Sequence, residues 1–144
     1  MDRTVEVRLL EGLHFESTGE DGLSVHMDSS PGFGGTGRGW RPMELLLVSL
    51  GSCTGMDVIS ILRKKRLTVD AYTVNVSGTQ ATEHPHMYTS IRIHHLLYAP
   101  DLPDEAVRRA IELSEQKYCS AYAMLVRAAE ITSSFEVRPS EPAD

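Results

Sequence analysis

Cysteine is scarce in this sequence. The 144 residues include only two, Cys53 and Cys119, which is too few for a disulfide framework. In a reducing compartment, a cysteine pair is more often redox-active or catalytic than structural. We therefore expect a cytoplasmic protein whose two thiols do chemistry. The alternative for each thiol is the ordinary one, a buried cysteine that serves only as a small hydrophobic side chain.

Positive charge is also scarce. The chain has 14 lysines and arginines against 20 aspartates and glutamates, a formal net charge of −6, which argues against a nucleic-acid partner and against an anionic membrane surface. The first ten residues lack the apolar core of a signal peptide. With 41% hydrophobic residues, the composition is that of an ordinary globular protein. We predict one domain over residues 1–138 and a disordered tail at 139–144.

The longest apolar stretch, residues 40–66, predicts a long helix. Pro42 suits the first helical position, Glu44 falls in the first turn and basic residues crowd the last turn, as the helix dipole favours. Nearly every position between is apolar or small, so we expect a helix that is buried almost all round. Its polar and small residues argue against a membrane span. Gly51 and Gly55 lie four residues apart and would let another helix approach closely.

Alternation of apolar and polar residues predicts strands on both sides of this helix, and apolar stripes predict two further helices. The predicted strands cover residues 4–10, 13–16, 23–28, 71–80, 87–98 and 131–138, and the predicted helices cover 104–119 and 120–129. A meander of strands, a core helix, two strands, helices and a last strand together predict an α+β fold with an antiparallel sheet.

Two other motifs lack the residues that their chemistry would need. Residues 31–39 contain a formal Gly-x-Gly-x-x-Gly, but its last glycine does not open the helix and no acidic residue ends a following strand at the required distance. We interpret this segment as a flexible connector. The histidines at 84, 86, 94 and 95 have no cysteine at ligand spacing, and neighbours on a strand point to opposite faces. We therefore predict no metal site and no cofactor.

Both cysteines fall on helical, partly apolar faces, so they could meet where two helices pack. A dithiol of this kind suits peroxide reduction. A thiolate attacks the O–O bond and becomes a sulfenic acid, the second thiol condenses with it to a disulfide, and an external dithiol restores both. Cys119 falls near a predicted helix start and Cys53 has arginines close in sequence, two features that favour a thiolate.

Three segments carry a resemblance to a known family: Pro42-Met43-Glu44-Leu45-Leu46, Leu50-Gly51-Ser52-Cys53-Thr54-Gly55-Met56-Asp57-Val58 and Lys117-Tyr118-Cys119-Ser120. In order and spacing they resemble the OsmC/Ohr family of thiol peroxidases, and the likeness covers essentially the whole chain. The resemblance implies antiparallel sheets packed around a long buried central helix in an intertwined homodimer. It also implies reduction of organic hydroperoxides in oxidative-stress defence, with recycling by an external dithiol such as a lipoylated protein.

The same resemblance implies roles for three residues: Cys53 as the peroxidatic thiol, Cys119 as the resolving thiol, and Glu44 as the carboxylate that orients an active-site arginine. Glu44 and Cys53 are nine residues apart, which at about 100° per residue places them on opposite faces of one helix, about 13 Å apart along its axis. If both are catalytic, Glu44 of one chain should reach Cys53 of its partner, with the Gly51/Gly55 face permitting the approach. This predicts an obligate dimer with sites at the interface.

One turn departs from the family pattern. The peroxidases place an arginine in or shortly after the N-terminal hairpin turn, where it stabilises the thiolate, but the turn here reads Gly19-Glu20-Asp21-Gly22. Arg38 and Arg41, just before the helix, are the candidate substitutes. Without a cation, a cysteine in apolar surroundings is a slow nucleophile. Two alternatives therefore stay open: a non-catalytic dimer that binds an apolar ligand or senses thiol redox state, and a structural dimer with two inert cysteines.

Overall fold

The computed structural model describes residues 1–139, so the predicted tail at 139–144 lies outside the described residues except for its first position. The α+β prediction is confirmed. The elements are β1 (Arg8–Glu11), β2 (His14–Thr18), β3 (Ser24–Met27), a 3₁₀ turn (Pro31–Phe33), α1 (Pro42–Lys64), β4 (Ala71–Gln80), β5 (Tyr88–Tyr98), α2 (Asp104–Leu113), a π-helical turn (Ser114–Tyr118), α3 (Ser120–Leu125) and β6 (Glu130–Arg138). The chain divides into two compact units, Met1–Leu46 and a second that begins at Leu47. The single-domain expectation stays a prediction.

The first unit contains the predicted meander, an antiparallel sheet in the order β1-β2-β3. Its first strand is shorter than predicted, because it begins at Arg8 and not at Thr4. Val5 and Val7 supplied the alternating pattern, but they are 78% and 51% exposed. Alternation alone did not determine where the strand begins, because the first unit buries neither of these two valine side chains.

The glycine-rich connector is held in place by one carboxylate. Asp28 is buried, and it accepts hydrogen bonds from the backbone N–H groups of Ser29, Thr36 and Arg38 and from the Thr36 hydroxyl at 2.7 Å. The Thr36 hydroxyl is the main cause that lowers the pKa of Asp28 to about 2. A Cβ at Gly35 or Gly39 would collide with neighbouring backbone. The loop is therefore built around Asp28, which the interpretation as a flexible connector did not foresee.

The second unit contains a sheet in the order β4-β5-β6. β4 and β5 form an antiparallel pair from Ala71↔Tyr98 to Gln80↔Tyr88. β6 joins β5 in parallel, so the expectation of a wholly antiparallel sheet is wrong for this strand. The reason is the connection, because α2, the π turn and α3 carry the chain back to the end of the sheet at which β5 began. A crossover of this length permits parallel pairing.

One face of α1 packs on this sheet. Buried positions recur along this face of the helix. The C-terminal half of α1 packs in the core with β5 and α2, and the contacting side chains include Val58, Leu62, Leu97 and Val107. The opposite face carries exposed apolar side chains, including Met56 at 69% exposure. The expectation that α1 is buried all round is therefore wrong for the single chain, because one sheet can cover only one side of a helix.

The two glycines of α1 serve a different purpose from the one expected. A Cβ at Gly51 would lie 2.9 Å from Val76 Cγ2, and one at Gly55 would lie 3.3 Å from Val74 Cγ2. Both valines belong to β4. The glycines therefore allow the helix to approach a strand of its own chain, and the prediction that this face admits another helix is wrong.

By length and composition alone, α1 could also cross a membrane, and 28% of its most apolar stretch is buried in the chain. The argument that its polar and small residues exclude a span was therefore too strong. The core helix of a soluble protein passes the same test. In the structure, the buried face of α1 packs on the β4-β5-β6 sheet.

Candidate functional site

The two cysteine side chains meet within the second unit. Cys53 is half-buried on α1, Cys119 is 3% exposed, and both are free thiols. The Cys53 thiol is among the causes that raise the pKa of Cys119, so the two thiols lie close to each other. Residues that are far apart in the sequence thus form a pair of neighbouring reduced thiols.

The π-helical turn presents Cys119 to Cys53. α2 ends at Leu113, so the helix predicted over 104–119 does not continue as an α-helix. A π-helical turn begins at Ser114, whose carbonyl accepts the Cys119 N–H at 2.8 Å across five residues. The chain then turns, and the Cys119 sulfur accepts the Tyr122 N–H at 3.3 Å at the start of α3. The expected position of Cys119 at a helix start is confirmed. Single π turns inside helices frequently occur at functional sites.

The environment of Cys119 favours the protonated thiol. Burial is the main cause that raises its pKa to about 12, and the contact with Cys53 and the charge of Asp57 act in the same direction. The N–H of Tyr122 opposes them. A thiol held neutral at physiological pH is a poor first nucleophile, because the thiolate is the reactive form. Cys119 is therefore suited to react second, with a neighbouring oxidised sulfur.

Three hydrogen-bonded polar side chains, those of Thr54, Ser114 and Asp57, lie near the two thiols, and the sequence did not predict them. The Ser114 hydroxyl donates to Asp57 Oδ2 at 2.9 Å, and the Ser114 Oγ lies 2.8 Å from Thr54 Oγ1. Ser114 and Thr54 are fully buried. The only sequence signal was the position of Asp57 four residues after Cys53 on one helix. Ser114 lies on the apolar stripe of the helix predicted over 104–119, where no local pattern distinguishes it.

The other predicted site residues lie in the first unit. Arg41 donates to the carbonyl oxygens of Gly39 at 2.6 Å and Asp28 at 3.3 Å, so its guanidinium supports the loop. Arg38 forms an exposed ion pair with Glu11 at 3.6 Å. Glu44 is exposed in the first turn of α1, and with Arg38 it lines an open pocket of about 450 Å³ whose other walls include His26 and Trp40. Arg38 and Glu44 are thus brought to one cavity.

The hairpin turn between β2 and β3 leaves both of its acidic side chains in solvent. Glu20 and Asp21 are exposed, and the turn closes through the Gly22 N–H to the Gly19 carbonyl at 3.0 Å. Gly22 has a φ of +77°, which glycine adopts without strain. Within residues 1–139, no group of three or more histidine, cysteine, aspartate or glutamate side chains could hold a metal ion.

These features define an α+β protein with one half-buried and one buried reduced thiol, on its central helix and on the crossover from β5 to β6. Residues 35–134 match the family model described as OsmC-like protein. Protein YhfA of Escherichia coli K12 is 38% identical over 131 residues, which cover 91% of this chain and 95% of YhfA. The chain belongs to the OsmC-like protein family, as the resemblance indicated.

Solved structures agree on the fold. A hypothetical protein from Aquifex aeolicus VF5 has 34% identity and a TM-score of 0.86, covering 98% of this chain and 99% of its own. An organic hydroperoxide resistance protein OsmC from Legionella pneumophila has 12% identity and a TM-score of 0.69, covering 94% and 98%. At that identity the Legionella protein shows the fold alone.

Proposed function

We propose that this protein is a thiol-dependent peroxidase that reduces organic hydroperoxides through Cys53 and Cys119. The observation that carries the proposal is the proximity of the two reduced thiols, with Cys53 the more exposed and Cys119 buried. Membership of the OsmC-like family supports the proposal, and the Legionella protein, which has the same fold, is named for resistance to this class of substrate.

The proposed reaction balances in three steps. The Cys53 thiolate attacks the terminal oxygen of the hydroperoxide, the O–O bond breaks, and the alkoxide takes a proton to leave as an alcohol. The Cys119 sulfur then attacks the resulting Cys53 sulfenic acid, and its proton leaves with the hydroxide as water. An external dithiol reduces the disulfide and is itself oxidised to a disulfide.

We further propose that the working unit is a homodimer in which Glu44 and an arginine from one chain complete the Cys53 site of the other. Exposed apolar side chains on α1, which include Leu46, Val48 and Met56 at 41%, 43% and 69% exposure, support a protein partner for that helix. Arg38 is the better candidate arginine. Arg38 lines the same pocket as Glu44, and its only ion pair in the described chain is the exposed one with Glu11, whereas the Arg41 guanidinium is held by two loop carbonyls.

The test is a titration of native-state thiols before and after one equivalent of cumene hydroperoxide, on the parent and on two matched cysteine variants. We expect the parent to lose two thiols rapidly. We expect Cys119→Ser to accumulate a sulfenic acid on Cys53 that dimedone traps, and Cys53→Ser to react no faster than free cysteine. Parent thiols that stay free over minutes would refute the peroxidase.

One observation favours a second function, that of a thiol-redox sensor or apolar-ligand binder without turnover. The hairpin turn exposes Glu20 and Asp21 where a peroxidase of this family would carry an arginine. Repeated turnover with a dithiol such as dihydrolipoamide separates the two functions. A peroxidase consumes many equivalents of hydroperoxide per chain, whereas a sensor stops after one.

A further inference from the structure

Ser114 joins three parts of the second unit. Its hydroxyl donates to Asp57 of α1 and contacts Thr54 one turn earlier, while its backbone carbonyl accepts the Cys119 N–H. The hydroxyl therefore fixes the π turn on α1, and the carbonyl fixes Cys119 on the π turn. Since α1 also carries Cys53, the separation of the two sulfurs is set through Ser114.

Asp57 adds a charge to this connection. Cys53 and Asp57 on α1 and Tyr122 on α3 interact with Cys119, and Glu115 on the π turn interacts in turn with Tyr122. Two groups act on Cys119 through their charge, the Cys53 thiol and the Asp57 carboxylate. A negative charge beside a thiol disfavours its thiolate.

We propose that Asp57 and Ser114 are positioning residues that assign the two cysteines their separate roles. Ser114 holds the Cys119 sulfur against Cys53 so that the disulfide closes quickly. Asp57 anchors Ser114 on α1 through their hydrogen bond, and its charge adds to the burial of Cys119, so that the more exposed Cys53 is the thiol that meets the oxidant first. This inference rests on the proposed two-cysteine function, but its test separates the two.

Disulfide closure can be measured without any peroxide. Reduced protein is mixed with oxidised glutathione, which forms a mixed disulfide on the more exposed Cys53. Cys119 then attacks the Cys53 sulfur, the protein disulfide forms and glutathione leaves as a thiolate. Intact-mass spectrometry follows the loss of the adduct over a pH series, and Cys119→Ser shows which sulfur carries it.

Two variants are expected to differ in kind. Ser114→Ala removes the connection, so closure should slow by about tenfold at every pH, the effect of one buried hydrogen bond that leaves its partners unpaired. Asp57→Asn keeps an oxygen that accepts the Ser114 hydroxyl but removes the charge. Its closure profile should therefore move to lower pH with an unchanged maximum rate. Ser60→Ala, an exposed serine on the same helix, is the control and should match the parent.

The proposal is overturned if Ser114→Ala closes at the parent rate, or if the pH profile of Asp57→Asn superimposes on that of the parent. Should Ser114→Ala fail to fold by circular dichroism, the Asp57→Asn profile decides alone. A parent that closes its mixed disulfide but ignores cumene hydroperoxide would refute the peroxidase and leave the positioning roles intact.

Discussion

At the scale of single residues, His95 is a buried titratable group that takes no part in the proposed thiol chemistry. It is fully buried on β5, its Nδ1 shares a hydrogen bond of 2.6 Å with the Tyr72 hydroxyl, and its Nε2 has no hydrogen-bond partner within the described part of the chain. Burial is the main cause that lowers the pKa of His95 to about 4, and His94 adds to it. Burial also raises the pKa of Tyr72. The pair is therefore neutral at physiological pH.

This environment predicts a loss of stability in mild acid. Below pH 6.5 the unfolded chain binds a proton at His95, whereas the folded chain does so only near pH 4. The free energy of unfolding should therefore fall as pH drops through that window, by up to about 3 kcal/mol. Urea denaturation at a series of pH values measures it.

The matched variants for this measurement remove one histidine each. The double variant Tyr72→Phe/His95→Leu deletes both members of the pair without leaving either unpartnered, and it should flatten the slope. His86→Gln, which changes an exposed histidine, should retain it. A constant difference between the parent and the double variant from pH 6.5 to 4 would contradict the assignment.

At the scale of elements, the close packing of α1 on β4 is set by two glycines with unequal clearance. A Cβ added at Gly51 would lie 2.9 Å from the nearest valine methyl, whereas one at Gly55 would lie 3.3 Å away, so the space at Gly51 is tighter. Protein interiors are packed densely enough for an added methyl group to force neighbours apart. The helix position on the sheet, and with it the position of Cys53, depends on this fit.

Alanine substitutions should rank according to that clearance. Alanine favours the helix by about 1 kcal/mol over glycine, while overpacking costs about 1–3 kcal/mol. Gly51→Ala should therefore lower the free energy of unfolding by about 1 kcal/mol, and Gly55→Ala should change it little. Chemical denaturation measures both, with Ser60→Ala as the exposed control on the same helix. A Gly51→Ala variant more stable than Gly55→Ala would contradict the packing argument.

At the scale of the whole molecule, the proposed dimer predicts the effect of a charge on the exposed side of α1. Met56→Glu would bury a carboxylate in the interface, so the dissociation constant should rise roughly a hundredfold or more. Analytical ultracentrifugation over a concentration series measures it. Asn75→Glu, at an exposed position of β4, adds the same charge elsewhere and should leave the dimer unchanged. A parent that sediments as a monomer would refute the dimer.

The sequence alone was enough for features that short-range patterns encode. The start of α1 at Pro42, the whole of β4 and the start of α2 at Asp104 follow from helix-end signals and periodicity, and the structure has them where predicted. The three spaced segments were sufficient for the family, which the comparisons confirm. Periodicity works here because each element buries one face, and a buried face imposes its own repeat on the sequence.

Tertiary structure decided what depends on partners that are distant in the chain. The parallel pairing of β6, the strand that faces Gly51 and Gly55, and the connection of Asp57 to Ser114 each join residues with no local signal in common. Asp57 and Ser114 are 57 positions apart, and the local sequence around each predicts only an ordinary helix residue. The sequence by itself identified the two thiols as candidates, but the π turn that carries Cys119 and its packing near α1 were decided by the tertiary structure, because contact between distant residues is fixed by packing and not by local propensity.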